Sequence, residues 1–211
     1  ITFGIATLAI IGMQSCKEGA KESKETVEAK EEAQASTDAE TFAVNTTDSK
    51  INWMGKTMVG KHNGFILLKS GEITIKEGKL ESGNFVADMN SLKSVDSEDP
   101  AVGEKLDGHL KNEDFFDVTK FPESKFTVTS VKPLEGEFNS ELEGNLEIKG
   151  VSKNLSVKAN VKVEGTKVTL TTEKFTINRQ DFGITYSNGN PKDKVIDDLF
   201  DMEVVITADK K

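Results

Sequence analysis

The sequence predicts an all-β fold, an antiparallel barrel of about eight strands with one short helix in a long connection. Apolar residues alternate with polar ones over long stretches, turn pairs separate several of them, and only one segment carries helical spacing. Composition agrees: 36% apolar, 30% charged and 17 Gly against 4 Pro describe an ordinary globular chain of 211 residues.

In chain order, candidate strands run through 51–55, 65–75 and 80–89. Asp99-Pro100 then signals a helix start, with Asp as cap and Pro in the first turn. Val102, Leu106 and Leu110 recur every four residues, so the helix carries one apolar stripe and becomes a plug or lid. Strand 125–131 follows. In 142–148 Leu142, Leu146 and Ile148 alternate with Glu143, Glu147 and Lys149, and in 155–163 Leu155, Val157, Val161 and Val163 do the same. Strands 168–177 and 200–206 complete the set. Glu77-Gly78, Glu135-Gly136 and Glu164-Gly165 are turn signals.

Two segments precede the barrel domain, which is expected over 41–211. Residues 1–13 carry no charge and read as the apolar region of a truncated secretory signal, too short for the roughly 20 residues of a spanning helix. Cys16, the one cysteine, follows directly, as in a bacterial lipoprotein signal whose cysteine is acylated. Residues 17–40 hold eight acidic and four basic side chains and only Val27 as a larger aliphatic residue, which predicts a disordered, charged tether that does not pack.

Several function classes drop out. A net charge of −9 without a basic patch excludes a nucleic-acid surface. One cysteine excludes a disulfide framework or a cysteine zinc site. Gly55 to Lys61 imitates a phosphate-binding loop, but His62 replaces the hydroxyl residue and the context is strand to strand. His109 with Asp107 and Ser91 or Ser94 lacks any nucleophile motif. Asp193, Asp197, Asp198 and Asp201 lack calcium-loop spacing and read as a solvated acidic loop. No catalytic residue, metal ligand or cofactor is therefore expected.

Three stretches carry a family resemblance. Asp107-Gly-His-Leu-Lys-Asn-Glu-Asp-Phe-Phe-Asp117 with Lys120-Phe121-Pro122, then Leu142-Glu-Gly-Asn-Leu-Glu-Ile-Lys-Gly-Val-Ser-Lys153, then Asn178-Arg-Gln-Asp-Phe-Gly-Ile184 resemble, in order, the motifs of the YceI-like family. The resemblance spans about 41–208 and implies a lipocalin-like barrel, exported from the cytoplasm, that binds polyisoprenoid lipids such as isoprenoid quinones or their precursors. An arginine common before the His-Leu pair is absent here, where Leu106-Asp107-Gly108 stands instead.

The expected lining of such a tube is drawn from aromatic and alternating positions: Trp53, Phe65, Leu67, Phe85, Phe115, Phe126, Phe175 and Phe182. His109 is expected to pack beside Leu106 and Leu110 at the barrel mouth. Arg179, the chain's one arginine, either holds a ligand oxygen or stacks on Trp53 to close one end, and the structural role is preferred. The expected partners are an isoprenoid lipid and, through the acyl anchor on Cys16, a membrane of the cell envelope, facing the periplasm or the cell surface; a homodimer stays open. The rival reading is an envelope stress or interaction lipoprotein whose barrel is filled by its own side chains.

Overall fold

The computed structural model describes residues 22–58, 60–186 and 196–211, so the signal segment, Cys16 and Asp193 lie outside the described residues. In chain order the elements are β1 (Val27–Glu28), β2 (Glu40–Val44), β3 (Lys50–Thr57), β4 (Gly60–Lys76), β5 (Lys79–Ser94), α1 (Pro100–Lys111), β6 (Glu123–Pro133), β7 (Ser140–Ile148), β8 (Val151–Glu164), β9 (Lys167–Thr172), β10 (Phe175–Asn178), a 3-10 turn (Arg179–Phe182) and β11 (Ile196–Lys210). All strand pairings are antiparallel, and the hydrogen-bonded ring β3–β4–β5–β6–β7–β8–β9–β11–β3 closes on itself. β2 and β3 share one stave between β4 and β11, while β9 and β10 share another beside β11, giving the barrel eight staves. Among the described residues closure leaves no long unpaired edge.

Local chemistry sets the connections. Glu77-Gly78 and Lys149-Gly150 both sit at positive φ, as a two-residue hairpin of the primed type requires. Asp99 caps α1 by accepting the Ala101 amide at 2.9 Å, and Pro100 takes the first turn. The stripe on α1 is only partly buried: Leu106 and Leu110 turn inward, whereas Val102 is exposed, because the helix meets the barrel by its C-terminal half.

The expected strand 168–177 is two strands. At Glu173 the chain leaves the β8 ladder, with the Glu173 carboxylate taking the Lys158 amide at 3.0 Å. β10 then pairs with β11, leaving a slot between it and the first half of β8. Residues 24–28 lie in that slot: the Lys24 amide bonds to Thr176 O at 2.7 Å, and β1 pairs Val27 with Asn154 and Glu28 with Lys153.

This corrects the expectation that the charged segment packs against nothing. Residues 24–38 form a strap around the barrel. Lys24 pairs with Glu173, Thr26 bonds to Asp181, Lys30 pairs with Glu143, the Ala33 amide reaches Val128 O, Ser36 bonds to Glu81, and Asp38 pairs with Lys76. Composition concealed it because the strap buries little apolar surface and is held by hydrogen bonds and charges whose partners are distant in sequence.

The strap is expected to loosen in acid. Its Lys153 partner holds the Glu28 carboxyl below its ordinary value, and Lys30 with Lys132 does so for Glu143, Ser36 for Glu81 and Lys76 for Asp38. Burial opposes the charge on Glu173, but the Lys158 amide and Lys24 outweigh it and lower that pKa too. Carboxyls depressed in the folded state contribute stability above their unfolded values, and that contribution fades as pH falls through the folded values. Hydrogen exchange at Lys24 and Ala33, corrected for its intrinsic rate, should therefore accelerate more than exchange in β4 between about pH 6 and pH 3; equal acceleration would contradict the electrostatic account.

Candidate functional site: an apolar cavity under the helix

The barrel interior divides into a packed end and a hollow end. Phe42, Ile73, Ile75, Val128, Val161, Val168 and Ala208 fill the end beneath the β4–β5 and β8–β9 turns. Above Leu142, Leu170 and Ile206 the bore opens into a cavity that reaches solvent. Its wall is almost entirely apolar: Ile66, Leu68 and Met89 on one side, Leu146, Leu155 and Val157 on another, and Met202 with Val204 on β11. Leu106, His109 and Leu110 of α1 roof it, and Gly55, Thr57, His62 and Asp197 border the opening.

Of the expected lining, Trp53, Phe85, Phe115, Phe126, Phe175, His109 and Arg179 border this cavity. Phe65 and Leu67 do not, and the reason is register. Ile51 pairs with Ile66 and Trp53 with Gly64 on the inner face, which turns Phe65 and Leu67 outward and leaves Leu67 39% exposed. Phe65 to Leu68 is an unbroken apolar run, so alternation could not say which pair faces inward. Phe182 is fully buried yet lies outside the cavity, packed in the cluster with Ile177 and Ile184 because the 3-10 turn folds it away from the bore.

Two glycines make room for the large rings. A Cβ on Gly64 would stand 1.9 Å from Lys93 O and 2.6 Å from the Trp53 ring, and one on Gly144 would stand 2.2 Å from Phe126. Gly64→Ala should cost roughly 2–3 kcal/mol, since backbone cannot yield as a flexible side chain can. Chemical denaturation measures it; a loss under about 0.5 kcal/mol would show that the Lys93 backbone and the Trp53 ring both give way easily.

Arg179 takes the structural role, with a different ring. Its guanidinium lies over Phe115 at 5.8 Å, not over Trp53. It donates to Ile184 O at 2.7 Å, to Asp197 O at 3.2 Å, to Ile196 O at 3.4 Å and to the Asp198 carboxylate at 2.8 Å. Burial lowers its pKa from the ordinary value, and Asp198 and Asp197 oppose that shift. These bonds join the turn after β10 to the start of β11, as a staple between the two flanks of the opening.

The remaining motif groups are also structural. Asp107 accepts the Ser94 amide at 2.7 Å, tying α1 to the end of β5. His109 stands edge-on to Phe115 at 5.4 Å and to Tyr186 at 4.8 Å, forming an aromatic cluster at the mouth. His62 meets Asp96 at 2.8 Å; burial works against the Asp96 charge, but the bonds from His62 and the Asn63 amide hold its pKa below the usual carboxylate value. Trp53 Nε1 is buried without a hydrogen-bond partner among the described residues.

A hollow closed barrel roofed by one helix defines a class of fold with room inside for one small ligand. The profile of the YceI-like domain matches residues 42–208, and the chain belongs to the YceI-like family. A UPF0312 protein of Shewanella denitrificans is 32% identical over 108 residues, 51% of each chain. One from Pseudomonas savastanoi pv. phaseolicola is 42% identical over 59 residues, 28% of this chain and 30% of its own. The chain thus matches about half, or less, of the length of these relatives. Among solved structures, Burkholderia cenocepacia BcnA superposes with a TM-score of 0.62 at 20% identity, covering 78% of this chain and 99% of its own. A polyisoprenoid binding domain from Saccharophagus degradans, described as implicated in plant cell wall breakdown, gives 0.59 at 13% identity over 81% of this chain and 98% of its own. Both establish the likeness of fold.

Proposed function

We propose that the chain binds one isoprenoid lipid, of the polyprenyl or isoprenoid quinone type, with its hydrocarbon in the cavity, and sequesters or carries it in the cell envelope while tethered through acylated Cys16. The observation that carries this is the hollow itself: a deep, almost wholly apolar bore holds a hydrocarbon without charged anchors, because each methylene removed from water is worth roughly 0.8 kcal/mol. The polyisoprenoid-binding description of the Saccharophagus degradans neighbour supports the ligand class. Four of the five N–H donors of Arg179 are engaged by protein oxygens, which makes it a poor anchor for a pyrophosphate.

Organic extraction of protein purified from its native envelope, followed by mass spectrometry, tests the reading. Near-stoichiometric isoprenoid is expected; repeated recovery of none would favour the envelope interaction protein.

A further inference from the structure

The opening of the cavity carries an apolar collar that the lipid reading does not require. Among the described residues six large hydrophobic side chains are exposed, and four of them sit at the open end: Met58, Val95, Val102 and Tyr186, at 78%, 54%, 53% and 37% exposure. Met58 caps the β3–β4 hairpin, whose Gly55, Lys56 and Thr57 border the cavity. Val95 donates its amide to Asn63 O, next to His62 at the opening, and Val102 stands on the first turn of α1 beside Gly103, which Ser94 binds. Tyr186 packs on His109 across the opening. The opposite end shows the reverse: its turns at Glu77-Gly78 and Glu164-Gly165-Thr166 expose only polar or charged groups, flanked by Lys79 and Lys167. Apolar side chains gathered round one opening and absent from the other end mark a contact surface rather than scattered exposure.

We propose that this collar docks the open end of the barrel onto a lipid bilayer surface, so that the cavity opens directly into the acyl region. The partner follows from continuity. On α1 the apolar path runs from Val102 one turn along to Leu106 and into the bore, while Thr57, His62 and Asp197 share the rim, and a surface that is apolar below polar headgroups meets both. Charges on the collar are mixed, with Lys56 and Lys61 on the hairpin against Glu98 and Glu104 near α1, so docking rests on apolar insertion and depends weakly on anionic lipid. The choice of partner rests on the lipid reading, and the test separates the two.

The chain from Lys17 onward, which keeps the strap and the barrel and carries neither the apolar segment 1–13 nor the acylation site, is used, and flotation with phosphatidylcholine vesicles is measured. The parent should float with the vesicles, and adding phosphatidylglycerol should change this little. Met58→Asp with Val102→Asp should weaken vesicle binding about tenfold or more, with the same melting temperature because both side chains face solvent. Leu67→Asp, the same chemistry on the barrel wall, should bind as the parent does. Absence of binding by the parent, equal binding by the double variant, or an equal loss in Leu67→Asp would overturn the proposal. Lipid extracted from the same samples is scored separately: collar-dependent flotation of protein that holds no isoprenoid supports docking while ending the carrier reading.

Discussion

Arg179→Met should destabilise the barrel by about 3–4 kcal/mol, lowering the melting temperature by roughly 10 °C. The residue is 2% exposed, and its side chain satisfies three backbone carbonyls and one carboxylate. Methionine fills much of the volume and supplies no donor, so Ile184 O, Ile196 O and Asp197 O lose their partner. Asp198, at 38% exposed, regains water, which keeps the cost below that of a fully buried broken pair. Below its melting point the variant should still hold lipid, because the guanidinium is spent on the protein. Unchanged stability with lost lipid would reverse this and make Arg179 a ligand contact.

Ala87→Phe with Val157→Phe should abolish lipid recovery, a fall of at least about tenfold, while stability stays within about 2 kcal/mol of the parent. Both positions are buried and border the cavity, on β5 and β8. Rings added there enter empty space, and the contacts they gain offset much of the strain. A barrel already filled by its own side chains responds oppositely: overpacking would cost more than about 3 kcal/mol and would leave lipid content unaltered. Extraction and denaturation of the same preparation therefore tell a hollow barrel from a filled one.

Much of this architecture was legible in the residues. The alternation of Leu142, Leu146 and Ile148 against glutamates, and of Leu155 and Val157 against Ser156 and Lys158, marks inner faces that the pairing of β7 with β8 bears out. Asp99-Pro100 marks a helix start that the Ala101 hydrogen bond supports. The three motifs place the family, and the profile match over 42–208 agrees with them. At the site, the aromatic residues after the helix indicate an apolar interior but not its depth.

Local sequence determined which segments extend, where they turn and which face of a clean alternation is apolar, because those preferences act between residues a few positions apart. Tertiary structure alone decided that Ile66 and Leu68 rather than Phe65 and Leu67 face the bore, and that Arg179 lies over Phe115. It also decided that residues 24–38 wrap the barrel and that one end is packed while the other is open. Each of these depends on pairings between groups tens of residues or more apart, as between Lys24 and Glu173, and a period of two carries no information about which distant strand lies alongside.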